Sequence, residues 1–146
     1  MRMNIPTKVL LPLVLVGACA TAYGGLQLGN DSGEYPLDGE CDDPRFAGGG
    51  MASSLDTVNI LADASDCARL LEAGLIRPQR TRDQWDPAQC QSVRYGNNSS
   101  DWAHDGQCDD PRFTGPGVDS ILNFDDQLSD ASDCRALCDA GEVWPK

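Results

Sequence analysis

The sequence predicts a small, disulfide-rich protein built mainly of short α-helices and loops, arranged as a tandem repeat of two modules. Three observations carry that expectation. Seven cysteines fall in 146 residues. The phrase "DGECDDPRF" at 38–46 returns as "DGQCDDPRF" at 105–113. Apolar content is a modest 40%, and units of ~40 residues cannot bury enough core without a staple.

Read from the N-terminus, Arg2 and Lys8 precede an apolar run, Val9 to Val16, interrupted by Pro12. The run is far shorter than the ~20 residues of a membrane-spanning helix. It has the layout of a secretory signal, assigned to 1–18. It ends in "VGAC", Val16 to Cys19, which resembles the lipobox of bacterial lipoproteins. The resemblance implies that Cys19 carries lipid and anchors the chain in a membrane. With Ala20 after the cysteine, the enteric pattern points to the periplasmic face of the outer membrane or to the cell surface. The alternative is ordinary cleavage after Ala20 or Ala22, which discards Cys19. Both readings export the chain to an oxidising compartment and leave six cysteines to pair.

Residues 19–34 contain four glycines and are expected to form the lipid attachment site and a flexible tether. Module 1 is placed at 35–76, a linker at 77–101 and module 2 at 102–146. Slid by 67 positions, 38–74 lies over 105–141 without a gap, with 21 of 37 positions identical. Phe46 and Phe113 are expected to anchor small cores. Met51, Leu55, Val58 and Leu61, answered by Val118, Ile121, Leu122 and Leu128, have helical spacing. "DASDC", at 63–67 and 130–134, opens a second helix with Asp at the N-cap, closed by Gly74 in module 1. Each module is thus expected to be two short helices around an acidic loop, with no strong strand pattern.

The repeat narrows the cysteine pairing. Cys41 and Cys67 have Cys108 and Cys134 as counterparts, which predicts Cys41–Cys67 and Cys108–Cys134. Cys90 and Cys138 have no counterpart among the remaining six and are expected to pair with each other.

Without the signal, nine basic residues face 23 acidic ones, a formal charge of −14. Such a surface repels nucleic acid and anionic headgroups and suits cations. Five Asp positions occur in both copies: Asp38, Asp42, Asp43, Asp63 and Asp66, with Asp105, Asp109, Asp110, Asp130 and Asp133. A Cys41–Cys67 bridge draws the CDD and DASDC segments together, so these acids are candidate ligands for Ca²⁺, which takes 6–8 oxygens. Zinc is disfavoured, since the thiols are committed to bridges and His104 is the only histidine. The metal-free alternative stays open. Asp63 and Asp66 can cap a helix, Asp42 or Asp43 can cap before Pro44, and Arg45 and Arg112 can neutralise neighbouring acids.

The pattern G-x-C-D followed by D-x-x-D-C resembles the LNR (Lin–Notch) repeat, a small disulfide-rich calcium module. The resemblance implies ligands at Asp42, Asp63 and Asp66, and at Asp109, Asp130 and Asp133. It covers about ten positions per copy. The family's three bridges per repeat and its middle Cys-Asn-Cys portion have no counterpart in this chain.

Motifs for catalysis are thin: G-x-S-x-G, H-E-x-x-H and P-loop patterns do not occur. The expected function is that of an exported, membrane-anchored envelope lipoprotein, non-enzymatic, with two calcium-binding modules and an envelope protein or glycan as partner. The alternative is a small metal-dependent hydrolase or its accessory subunit.

Overall fold

A computed structural model describes residues 25–146. The proposed signal and Cys19 lie outside that range. Among the described residues, no helix is long and apolar enough to cross a membrane. In chain order the elements are β1 (Phe46–Gly48), β2 (Ser54–Asp56), α1 (Ala64–Glu72), β3 (Ile76–Pro78), β4 (Phe113–Thr114), β5 (Ile121–Asn123), α2 (Ala131–Ala140) and β6 (Trp144–Pro145). Short 3₁₀ turns cover Thr57–Asn59, Arg82–Gln84, Pro87–Ser92 and Phe124–Asp126.

Three antiparallel two-stranded ladders organise the chain. β1 pairs with β3, β4 with β6, and β2 with β5. The β2–β5 ladder joins the first half to the second, with Leu55 opposite Leu122. Leu122 therefore packs into the first core beside Cys41, Phe46, Met51, Leu55 and Ile76. The second core gathers Cys90, Tyr95, Cys108, Phe113, Cys134, Cys138 and Val143. Phe46 and Phe113 are 0% and 1% exposed and anchor the two cores as expected. Tyr95 stacks on Phe113 at 5.7 Å between ring centroids.

The structure holds the bridges Cys41–Cys67, Cys90–Cys138 and Cys108–Cys134, the same pairs that the counterpart argument selects. Separations of 26, 48 and 26 residues correspond to about 3.5–4 kcal/mol each in the loop-entropy model. The Cys90–Cys138 bridge ties the 3₁₀ turn Pro87–Ser92 to α2.

The expected helices at 51–61 and 118–128 do not form. Their place is taken by β2 and β5, each followed by a 3₁₀ turn. The reason is local. Ser53, Ser54, Asp56, Thr57 and Asn59 offer the backbone hydrogen bonds that compete with a helix. Asp56 indeed accepts from the Val58 N–H and caps only a short turn. The apolar spacing misled because Leu55 is inward on a strand, while Val58 is 74% exposed. Among the described residues, description as mainly helical therefore gives way to two α-helices among short strands, turns and bridges.

α1 and α2 form where expected, with Cys67 and Leu70 buried on one face of α1. Their N-termini are held from a distance. The Ala64 N–H donates to Asn30 O and the Ser65 N–H to Asp31 Oδ1. The Ala131 N–H donates to Asn97 O and the Ser132 N–H to Asn98 Oδ1. Part of the stretch read as tether is thus hydrogen-bonded into the first half. Gly29 shows why that stretch carries glycine. Its φ is +84°, and a Cβ there would lie 1.9 Å from Leu61 O. Gly96 meets Leu128 O in the same way.

Candidate functional site

The Cys41–Cys67 bridge brings the CDD turn against the start of α1, and Cys108–Cys134 does the same at α2. The repeated acids are then divided among different tasks. Asp43 is 1% exposed and spent on structure. Both its oxygens accept from Arg45 Nε at 3.0 Å, and it also accepts from the Arg45 and Leu61 backbone N–H groups. Asp110 repeats the arrangement with Arg112 and Leu128. These two acids take the ion-pair alternative, and their lone pairs are committed to nitrogen donors.

Asp38 and Asp105 close short turns, accepting from the Glu40 and Gln107 N–H groups. Asp66 accepts from the Gly39 N–H and pairs with Arg69 at 3.0 Å. Asp133 accepts from the Gly106 N–H. Neither acid acts within its own helix as a capping-box residue. Asp63 and Asp130 stand at the N-cap positions but make no side-chain cap. Their Oδ2 atoms instead accept from the Asp42 and Asp109 N–H groups, at 2.8 and 2.9 Å.

Two carboxyls in each half are left incomplete. Asp42 Oδ2 and Asp63 Oδ1 are buried without a hydrogen-bond partner, as are Asp109 Oδ2 and Asp130 Oδ1. All four residues are at most 5% exposed. Burial pushes the Asp42 carboxyl up to about 6, helped by the charges of Asp38, Asp63, Glu40 and Asp66. It pushes Asp109 up to about 7, helped by Asp105, Asp119, Asp130 and Asp126. Asp63 and Asp130 move upward for the same first reason, and the bond from the Asp42 or Asp109 N–H opposes the shift. Buried carboxyls among other carboxyls must take up a proton or a cation.

Two groups with the composition of a metal site lie beside these acids: Cys41, Asp63 and Cys67, and Cys108, Asp130 and Cys134. The candidate ligand atoms of each group fall within 4.8 Å of one another, so each group could hold a metal ion. In the oxidised chain both sulfurs are in a disulfide and offer no thiolate. Asp63 Oδ2 and Cys67 Sγ, 3.5 Å apart, therefore touch without a proton between them. The oxygens are the donors that remain. Among the described residues, no three carboxylates converge within 4.8 Å, so the five repeated acids do not form a closed cage. His104 sits in an exposed turn with φ +75°.

Residues 29–33 also contribute to the site's frame, outside the stretch 38–74 over which the two copies are compared. Continuing the same 67-residue slide finds them: Gly29, Asn30 and Ser32 recur as Gly96, Asn97 and Ser99. Comparison with protein-family models, with curated proteins and with solved structures finds no match to this chain.

Proposed function

We propose that the chain is an exported, lipid-anchored envelope protein whose two disulfide-stapled halves are copies of one calcium-binding module, acting as a binding or structural protein. The observation that supports this reading is the pair of buried, unpartnered carboxylate oxygens in each half. A divalent cation relieves both the missing partners and the mutual repulsion. Hard oxygen donors suit Ca²⁺, and the oxidised sulfurs remove the ligands that zinc prefers. In this reading the ligands are Asp42 with Asp63 and Asp109 with Asp130, completed by water, with flanking acids such as Asp38 and Asp105 adding negative charge beyond the ligand shell. Asp43 and Asp110 are left to their arginines. So open a ligand set belongs in the weak range of extracellular modules, about 10⁻⁴–10⁻³ M.

Calorimetric titration of the purified chain tests the reading. The expected result is two sites, and ~10 mM Ca²⁺ should raise stability by roughly 1.4–2.7 kcal/mol per site. Asp63→Asn and Asp130→Asn should each remove one site, since Asn keeps the acceptor for the neighbouring N–H but loses the charge. Equal melting curves in EDTA and in millimolar Ca²⁺, at matched ionic strength, would overturn it.

The anchor has its own test. Cys19→Ala is expected to abolish acyl labelling and to move the protein to the soluble fraction. Unchanged membrane association would count against a lipid at Cys19.

A further inference from the structure

The largest cavity described, about 810 Å³, opens beside the first acidic turn. Glu34, Asp38, Glu40, Asp42 and Asp56 line it, and no lysine, arginine or histidine does. Its apolar wall is Tyr35, Val58 and Ile121, which are 53%, 74% and 47% exposed. Ile121 reaches it through the β2–β5 ladder, so both halves of the chain build the cleft. Asp42 is the second and independent observation. It is 5% exposed, stands in the cleft wall, and its Oδ2 has no partner.

We infer that this cleft binds an extended basic peptide segment, whose lysine or arginine side chains meet the five carboxylates. A metal ion held between Asp42 and Asp63 leaves Glu34, Glu40 and Asp56 for another occupant, in a cleft of about 810 Å³. The acids are spread around the wall, with no three carboxylates within 4.8 Å of one another among the described residues, so no three of them reach a single ion at ~2.3–2.6 Å. Several cations carried on one chain match several separated anions. The aliphatic stems of Lys and Arg lie along apolar surface while their heads reach charge, which the exposed Val58 and Ile121 provide. Tyr35 offers a ring face to a cation. A peptide is favoured over a free polyamine because Ser54 and Asp56 of β2 form part of the wall. β2 has a strand neighbour on one side only, and extended peptides add to such edges. The second half keeps only three of the five acids, as Asp101, Asp105 and Asp109, with Gln107 and Asn123 at the positions of Glu40 and Asp56.

The test is fluorescence anisotropy of labelled octalysine with the purified full chain, in EDTA throughout. EDTA separates this inference from the calcium reading, since a chain that binds no calcium can still pass. The double variant Glu34→Gln/Asp56→Asn is expected to weaken binding about tenfold. Asp56→Asn keeps a good N-cap, and thermal melts verify that the variant folds. The control Asp125→Asn/Asp139→Asn removes two exposed charges outside the cleft and should change the Kd less than twofold. Equal weakening by the two pairs would show attraction to net charge alone and overturn the inference, as would absence of binding by the parent chain. Displacement of the peptide by spermidine at equal or lower concentration would assign the cleft to a small polyamine and overturn the peptide.

Discussion

Asp43→Asn is expected to destabilise the protein by about 3 kcal/mol, and Asp42→Asn, one residue earlier, to stabilise it by about 1 kcal/mol at pH 8 without calcium. The two acids are chemically identical, adjacent and both almost fully buried, at 5% and 1% exposure, so the difference lies in what faces them. Asp43 receives the Arg45 guanidinium and two backbone N–H groups. Arg45 is itself held by Gln27 O and lies over the Phe46 ring. Asp43 is the buried member of the pair and Arg45 keeps 31% of its side chain exposed, so the loss sits toward the lower end of the roughly 3–5 kcal/mol typical of breaking a buried pair. Asp42 has the opposite surroundings: burial first, and then the charges of Asp38, Asp63, Glu40 and Asp66, oppose its ionisation, with no cation among the described residues facing it to offset them. Neutralising it removes an unfavourable term of up to about 3 kcal/mol at pH 8. The amide left in its place has an unsatisfied group costing ~1–2 kcal/mol, so a small net gain remains. Urea denaturation in EDTA measures both variants. Destabilisation of similar size by both would show that the arginine pairs contribute nothing special to the DDPRF turn. Asp110→Asn should repeat the loss through Arg112.

Much of this division of labour was hidden in the sequence. The phrase repeated at 38 and 105 locates the acidic turns, and Cys90 and Cys138, which lack counterparts in the other copy, locate the third bridge. Phe46 and Phe113 were legible as anchors because each is the aromatic that both copies of the CDDPRF phrase retain. What spacing could not separate was Asp42 from Asp43. Their roles depend on which carboxylate faces Arg45 after Pro44 turns the chain. Nor could it show that Asp63, at an N-cap position, gives its oxygen to the Asp42 N–H. That bond is non-local and is set by the disulfide. The strands β2 and β5 were missed for a related reason. Three-residue strands are too short for alternation to register, and Leu55 and Leu122 take their meaning from facing each other across 67 residues.

Without calcium, the protein is expected to lose stability as pH rises from about 4 to 7, and then to level off. The direction follows from the raised carboxyls. Asp42 titrates at about 6 and Asp109 at about 7 in the fold, against 3.8 for an ordinary Asp. Between those values the folded chain holds protons that the unfolded chain has released. Stability must then fall with rising pH. At 1.36 kcal/mol per unit, the loss is at most about 3 kcal/mol from Asp42 and about 4 kcal/mol from Asp109. Asp63 and Asp130 shift in the same direction and add to the slope. Lys146, brought down to about 8 by burial, acts above this window and with the opposite effect on stability. Denaturation midpoints at pH 5 and pH 8 in EDTA should therefore stand in the order opposite to that of a protein with salt-bridged carboxylates. Asp42→Asn/Asp109→Asn should flatten the profile by removing the groups that titrate. Millimolar Ca²⁺ should flatten it without mutation, because a bound cation holds the same carboxyls ionised in the fold. A profile that rises from pH 5 to 8 in EDTA would mean that the four buried carboxyls already have partners. If instead the profile falls but calcium leaves it unchanged, the carboxyls are protonated in the fold and the two acidic turns are not metal sites.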